Sequence, residues 1–132
     1  MIVVDSSVWI DHFTGRQGDE AAFLRVLLNH TDVPVMVGDV VAYEVLAGFR
    51  DAQHLGAARQ LLRSLVMVSM LDHSLIDVAV IHYRRLRDRG VTLGAPDIFI
   101  GTYCIVHGCR LLTKDRDFLH MGRHLGLRLV EP

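Results

Sequence analysis

The chain is poor in cysteine, proline and lysine. Its 132 residues include two cysteines and three prolines, and Lys114 is the only lysine. Two cysteines, Cys104 and Cys109, cannot build a disulfide framework, so we expect reduced thiols and a cytoplasmic protein. A structural zinc site is also not expected, because no second cysteine pair with suitable spacing is present.

The chain also lacks a hydrophobic run long enough to cross a membrane. The apolar stretch from Val33 to Phe49 is interrupted by Asp39 and Glu44, whereas a spanning helix needs about 20 apolar residues. Asp5 interrupts the first apolar run and no basic segment precedes it, so we expect no signal peptide. With 51% hydrophobic and 22% charged residues, the composition excludes a disordered chain. The length predicts one domain over residues 1–132.

Short apolar runs alternate with segments of helical periodicity. The predicted strands are Ile2 to Val4, Pro34 to Val37, Val66 to Met70, Arg110 to Thr113 and Leu127 to Val130. Helix N-caps are predicted at Asp19 and Asp39, a further helix is predicted to start at Asp51, and Ser74 with Asp77 resembles a capping box. Strands separated by helices predict an α/β fold of three layers, with a central, mostly parallel five-stranded sheet. A site in such a sheet lies beyond the carboxyl ends of the strands.

Five acidic residues occur where this site is expected. Asp5 follows the first strand, and Asp115 and Asp117 follow the fourth. Asp97 lies in the first turn of a predicted helix, and Glu44 lies on an apolar helix face. Taken singly, each aspartate could cap a helix or complement its dipole. Glu44 is harder to explain in this way, because an unpaired carboxylate among apolar neighbours is costly.

Carboxylates gathered at one edge of a sheet repel one another unless a cation lies between them. Mg²⁺ and Mn²⁺ prefer oxygen ligands, and such acidic clusters are typical of metal-dependent phosphodiester hydrolysis. The expected metal ligands are Asp5, Asp97, Asp115 and Asp117. Glu44 is expected to position a second ion or to orient the attacking water, and the catalytic set is then Asp5, Glu44, Asp97 and Asp115.

Hydroxyl and basic side chains accompany the acidic set. The hydroxyls of Ser6 and Thr113 are expected to fix the orientation of the carboxylates. The formal net charge is −1, so the chain without its five site acids would carry +4, which suits a polyanionic substrate. The candidate contacts to such a substrate are Lys114, Arg116, Arg84 and Arg85, although the two arginines could equally complement a helix dipole.

Four segments that carry these acids also match the motifs of a known family. They are Met1 to Asp11, Tyr43 to Gly48, Pro96 to Ile98 and Leu111 to Phe118. Together, and over essentially the whole chain, they resemble the PIN domain ribonuclease toxins of the VapC family. The resemblance implies a five-stranded parallel sheet, and it places the family's acidic site at Asp5, Glu44, Asp97 and Asp115, with Asp117 as an accessory member.

The same resemblance implies an activity and partners. The activity is that of a Mg²⁺- or Mn²⁺-dependent endoribonuclease, the toxin of a bacterial type II toxin–antitoxin system, which cuts tRNA or rRNA. The partners are a second copy of the chain and an inhibitory VapB-type antitoxin. An antitoxin segment needs an apolar groove, for which the candidate lining is Trp9, Phe13, Val45, Leu46 and Phe49. Ordinary core packing is the alternative for each of them.

Other functions remain open from the residues alone. Eight histidines, among them His120 and His124 at helical spacing, permit a metal-independent ribonuclease that uses histidine as acid and base. A receiver domain or a haloacid-dehalogenase-like phosphatase also places an aspartate after its first strand. A phosphatase needs a second aspartate where Ser7 stands, and a receiver needs an acidic pair near the end of that strand. A non-catalytic binding module would have a broken acidic set, whereas this set is intact.

Overall fold

Helices and strands alternate along the chain in a computed structural model, which describes residues 1–30 and 32–132. The strands are β1 (Ile2–Val4), β2 (Val35–Gly38), β3 (Val66–Val68), β4 (Arg110–Leu112) and β5 (Arg128–Leu129). The helices are α1 (Ser6–Thr14), α2 (Asp19–Asn29), α3 (Asp39–Ala47), α4 (Ala52–Arg63), α5 (Ile76–Asp88), α6 (Ala95–His107) and α7 (Phe118–Leu125). A 3₁₀ turn, His73–Leu75, precedes α5.

The described strands form one five-stranded sheet in the order β3-β2-β1-β4-β5. Each neighbouring pair is parallel, so the predicted α/β fold is confirmed and the sheet is wholly parallel. Ile2 of β1 lies opposite Val35 on one side and Arg110 on the other. Ile2, Val3 and Val4 are all buried, because helices cover both faces of a parallel sheet.

The direction of the crossovers divides the helices between the two faces of the sheet. The connections from β1 to β2 and from β2 to β3 run one way, and those to β4 and β5 run the opposite way. Since parallel crossovers are right-handed, α1 to α4 cover one face and α5 to α7 the other. The packing agrees, because α1 contacts α2 and α3 while α5 contacts α6 and α7. The three-layer prediction is therefore confirmed.

The chain changes direction across the sheet between β1 and β4. This is the switch point at which parallel α/β sheets form a crevice beyond the carboxyl ends of their strands. The backbone N–H of Asp5 donates to the carbonyl of Leu112 at 2.9 Å, which joins the ends of the two strands. Asp5 and Thr113, the residues that follow β1 and β4, therefore begin the crevice side by side.

Helix starts follow the predictions in part. Asp51 caps α4, and its carboxylate accepts a hydrogen bond from the third residue beyond it. Asp19 and Asp39 are wrong as N-caps, because Gly18 and Gly38 occupy those positions with extended or irregular backbone and the acids begin the helices. The capping box of Ser74 with Asp77 is also wrong. Asp72 accepts the Ser74 N–H, and the 3₁₀ turn comes between it and α5.

The core lies on both faces of the central strands. Its largest fully buried side chains include Trp9 and Phe118. Cys104 and Cys109 are free and buried, and burial raises the pKa of the Cys104 thiol. Within the described part of the chain, no helix is long and apolar enough to span a membrane.

Candidate metal centre

Three carboxylates converge at the switch point. Asp97 comes from the first turn of α6, and Asp115 and Asp117 come from the loop between β4 and α7. One oxygen from each lies within 4.8 Å of the others, and Asp97 and Asp115 are half-buried while Asp117 is exposed. Oxygen atoms at this spacing can bind one cation together.

Asp5 stands beside this group with its carboxylate held by hydroxyls. It occupies the N-cap position of α1, yet its side chain makes no capping hydrogen bond. Oδ2 instead accepts hydrogen bonds from Ser7 Oγ at 2.9 Å and Thr113 Oγ1 at 2.8 Å. With only 4% of its surface exposed, Asp5 is fixed in orientation by these two donors.

In the loop after β4, backbone N–H groups also donate hydrogen bonds to hydroxyl and carboxylate oxygens. The N–H of Asp115 donates to Thr113 Oγ1 at 3.0 Å, and the N–H of Asp117 donates to Asp115 Oδ1 at 2.9 Å. The N–H of Lys114 donates to Ser7 Oγ at 3.2 Å. The loop is therefore bonded both to itself and to α1, and the acids it carries have defined positions.

Glu44 brings a fourth element, α3, to the site. Its Oε1 atom is buried and has no hydrogen-bond partner among the described residues. Burial raises the pKa of the Glu44 carboxyl, the charge of Asp5 raises it further, and the Ser6 side chain acts in the opposite direction. A buried carboxylate oxygen without a hydrogen-bond donor is energetically costly. A cation, a proton or a water molecule would compensate this cost.

The charges of the other four acids act on Asp97. Burial is the first cause that raises the pKa of its carboxyl, to about 6, and the charges of Asp115, Asp5, Glu44 and Asp117 follow in that order. Like charges disfavour ionisation of a neighbouring acid. The five predicted acids thus form one electrostatic group, although among the described residues only Asp97, Asp115 and Asp117 have oxygens within 4.8 Å of one another.

The donor set suits a hard divalent cation. The candidate ligand atoms are carboxylate oxygens from three aspartates, and Mg²⁺ and Mn²⁺ prefer such ligands. The pKa of Asp97 is raised first by burial and then by the charges of the neighbouring carboxylates, and a bound cation would oppose both effects. Glu44 Oε1 is a further oxygen without a partner in the described residues. The residues present therefore fit the predicted ion.

Comparison with known proteins identifies the family. The PIN domain model matches residues 2–124. This chain belongs to the PIN domain family. The PIN domain protein is 28% identical to ribonuclease VapC11 of Mycobacterium tuberculosis over 129 residues, which are 97% of this chain and 96% of the relative.

Solved structures share the fold of this PIN domain protein. VapBC2 from Rickettsia felis, bound to a DNA fragment from its promoter, has a TM-score of 0.79 at 15% identity and covers 98% of each chain. The sarcin-ricin loop cleaving toxin VapC20 of Mycobacterium tuberculosis has a TM-score of 0.72 at 17% identity, over 92% of this chain and 95% of the other. At these identities the likeness shows a common fold.

Two residues that hold the site were absent from the predictions. Ser7 donates to Asp5, while the predicted hydroxyl of Ser6 acts on another site carboxylate, Glu44, and opposes the rise in pKa that burial causes there. Asp11 is buried and pairs with Lys114 Nζ. The Lys114 side chain, which was predicted to contact the substrate, is therefore bound to another residue of the PIN domain. Ser7 and Asp11 are four residues apart and share one face of α1. That spacing was the signal available in the sequence.

The other predicted basic residues lie outside the acidic group. Arg116 is exposed in the loop after β4, and Arg84 and Arg85 are exposed on α5. Arg85 borders a polar pocket together with Asp88, Arg89 and His124. His124 lines this pocket and is not a member of the carboxylate group formed by Asp97, Asp115 and Asp117.

An apolar groove runs between α1 and α3. It is lined by Ile10, Phe13, Thr14, Val45, Gly48 and Phe49, which include three of the five predicted lining residues. Trp9 is wrong as a lining residue, because it is fully buried beneath Phe13 with the two rings stacked at 5.9 Å. Leu46 is half-buried against the core rather than in the groove lining.

Proposed function

We propose that this PIN domain protein is a Mg²⁺- or Mn²⁺-dependent endoribonuclease that acts as the toxin of a toxin–antitoxin system in the cytoplasm. The observation that carries the proposal is the convergence of Asp97, Asp115 and Asp117 at the switch point of the sheet. Asp5 and Glu44 complete the acidic set. A cluster of carboxylates is the chemistry that phosphodiester hydrolysis with a divalent cation needs.

The names of related proteins support the choice of RNA. A relative that matches nearly the whole chain is a ribonuclease, VapC11, and a protein of the same fold is a sarcin-ricin loop cleaving toxin. We infer tRNA or rRNA as the substrate, because structured RNA offers loops whose shape a small domain can recognise. Arg116, exposed beside the acids, is placed to attract the phosphate backbone, with Arg84 and Arg85 as more distant candidates.

Each acidic side chain of the site has a separate role in the proposed hydrolysis. A bound divalent cation would lower the pKa of water and neutralise charge on the scissile phosphate. Asp97, Asp115 and Asp117 would hold the ion. Asp5, fixed by Ser7 and Thr113, would add a preoriented oxygen at low reorganisation cost.

Glu44 has the properties of a proton acceptor for the attacking water. Its carboxyl has a raised pKa and its Oε1 atom lacks a partner among the described residues. A carboxylate with a raised pKa is a stronger base than an ordinary one, which favours removal of a proton from water. Glu44 would therefore orient and deprotonate the nucleophile on the side of the site formed by α3.

Two apolar surfaces fit the proposed partners. The groove between α1 and α3 would take an apolar helix or strand of a VapB-type antitoxin, and a structure of the same fold from Klebsiella pneumoniae is a toxin–antitoxin complex. A second surface combines the exposed Ile76, Val80 and Tyr83 of α5 with Phe99 of α6. We assign that surface to a second copy of the chain, which would cover side chains too apolar for solvent.

The deciding experiment is cleavage of total cellular RNA by the purified protein without its partner. Reactions contain Mg²⁺, Mn²⁺ or EDTA, and the ends of the products are mapped. Fragments with 5′-phosphate ends that disappear in EDTA support hydrolysis by the acidic site. Cyclic phosphate ends and resistance to EDTA would move the chemistry to histidine. Absence of cleavage on every RNA tested would favour a binding module.

The toxin role has its own test. Expression of the protein without an antitoxin is expected to slow growth, and Asp5→Asn is expected to relieve the effect. Harmless expression of a protein that cuts RNA when purified would remove the toxin role and leave the nuclease activity in place.

A further inference from the structure

We propose that Asp11 and Lys114 form a clamp that holds the loop after β4 against α1 and so sets the positions of Asp115 and Asp117. In this role Lys114 is a positioning residue and not a contact for RNA phosphates. The inference rests on the proposed function, because the carboxylates that the clamp positions are those assigned to the metal ion.

Lys114 is attached to α1 at two points. Its backbone N–H donates to Ser7 Oγ, and its side-chain Nζ donates to Asp11 Oδ2. Ser7 and Asp11 are one helical turn apart, so the backbone and side chain of one loop residue follow the same face of α1. Two attachments restrict rotation of the loop as well as its distance from the helix.

The burial of Asp11 shows that the attachment is specific. The Asp11 side chain is 6% exposed and that of Lys114 is 33% exposed. A buried carboxylate is strongly disfavoured without its cation, whereas a surface ion pair contributes little. Asp11 therefore retains Lys114 in the folded protein, and the ammonium group is not free to bind an RNA phosphate.

The residues on either side of Lys114 transmit its position to the site. Thr113 donates to Asp5 Oδ2 and accepts the N–H of Asp115, whose Oδ1 accepts the N–H of Asp117. Movement of Lys114 away from α1 would pull on each of these bonds. The clamp would thus act on the two loop carboxylates through a continuous chain of hydrogen bonds.

The first test needs neither metal nor RNA. Amide hydrogen exchange is measured by NMR in the metal-free protein and in Lys114→Met, Lys114→Arg and the double variant Asp11→Asn/Lys114→Met. The double variant leaves no unpaired buried charge and so keeps a foldable protein. Faster exchange of the Lys114 and Asp117 amides in Lys114→Met and the double variant, with slow exchange restored in Lys114→Arg, supports the clamp. Unchanged exchange in both would overturn it.

The second test measures Mn²⁺ affinity by calorimetry and the salt dependence of RNA cleavage. Lys114→Met and the double variant are expected to bind Mn²⁺ about 10- to 100-fold more weakly than the original protein, as is typical when a residue that orients metal ligands is lost. Arg116→Met, which removes a neighbouring exposed charge, is expected to keep the Mn²⁺ affinity and to change the salt dependence instead.

Asp11→Asn, alone and combined with Lys114→Met, also distinguishes the clamp from a direct RNA contact. If Lys114 acts through Asp11, Asp11→Asn lowers Mn²⁺ affinity, and adding Lys114→Met to it has little further effect. If Lys114 binds phosphate, Asp11→Asn preserves the Mn²⁺ affinity and Lys114→Met reduces the salt slope as Arg116→Met does, which overturns the clamp. An original protein that neither binds Mn²⁺ nor cuts RNA would refute the proposed function, while the exchange data would still report on the clamp itself.

Discussion

The hydroxyl of Thr113 donates a hydrogen bond to Oδ2 of Asp5 at 2.8 Å, across 108 positions of the chain. Ser7 donates to the same oxygen from the first turn of α1. Both donors come from segments that directly follow central strands, β1 and β4. The parallel pairing of these strands therefore brings the two ends of the sequence together at one carboxylate.

Asp5→Asn is expected to lower RNA cleavage by several orders of magnitude and to leave the fold intact or more stable. The amide oxygen still accepts hydrogen bonds from Ser7 and Thr113, whereas one negative charge leaves the repulsive group. Initial rates with saturating Mg²⁺ and the thermal unfolding midpoint measure the two effects. Asp19→Asn, at an exposed site on α2, is the control. Cleavage near the original rate by a folded Asp5→Asn protein contradicts the assignment.

The binding of Mn²⁺ is expected to depend on pH through Asp97. The carboxyl has its pKa raised from 3.8 to about 6 in the metal-free protein, and an ion must displace the proton that it retains below that value. Affinity measured by calorimetry should therefore rise as the pH increases through about 6. Affinity that is constant between about pH 5 and pH 7 contradicts the idea that Asp97 is a ligand.

The same shift predicts how stability of the metal-free protein depends on pH. The pKa of Asp97 is higher in the folded state than in the unfolded state. Its contribution to the free energy of unfolding is therefore fully present below about pH 4 and is lost as the pH rises through about 6. Asp97→Asn should remove this loss and raise the unfolding midpoint at neutral pH. Urea unfolding of both proteins across this range measures the difference, and parallel curves would contradict it.

Ile10→Glu is expected to weaken binding of a VapB-type antitoxin. Ile10 lines the groove between α1 and α3 and is 44% exposed, so the fold tolerates the change while the groove gains a charge. Loss of an apolar contact of this size costs about 1.5–3 kcal/mol, which is roughly a 10- to 100-fold loss of affinity. Val26→Glu, on an exposed site of α2, is the control, and equal losses in both variants contradict the groove.

Gly101→Ala is expected to destabilise the protein by about 1–3 kcal/mol. An added Cβ would lie 2.3 Å from Cε of Met121, whose side chain is fully buried between α6 and α7. Gly56→Ala is the matched control, because its Cβ meets no atom within 4 Å. In the middle of α4 it should stabilise by roughly 0.5–1 kcal/mol. Urea unfolding measures both, and a neutral Gly101→Ala contradicts this packing.

The edge of the sheet at which the acids lie could be predicted from the sequence. Buried strands of a parallel sheet have continuous apolar runs, so the residues at the ends of the predicted strands Ile2 to Val4 and Arg110 to Thr113 were placed at one edge, although the fourth strand ends one residue earlier, at Leu112. Asp97 was placed by a helix start, which Pro96 marks. These signals depend on residues that are close together in the sequence, so they can be recognised before the packing of the helices and strands is known.

The orientation of the supporting side chains could not be predicted in the same way. Ser6 and Ser7 differ by about 100° around α1, and the sequence does not fix which of them faces Asp5. Asp11 and Lys114 are 103 positions apart, so their pairing depends on the tertiary structure. Trp9 lies on the apolar side of α1. The helical periodicity of the sequence identifies this side, but it does not distinguish residues buried in the core from residues that line a groove.

The place of β1 at the centre of the sheet has a consequence for protein synthesis. Asp5 is synthesised before β4, its neighbour in the sheet, which begins only at Arg110. The pairing that completes the site is non-local and must follow the synthesis of β4. Residues 10–49, which contain the groove, leave the ribosome long before Asp115 and Asp117 do. A nascent chain therefore exposes the segment proposed to bind its inhibitor before it can assemble the centre proposed to cut RNA.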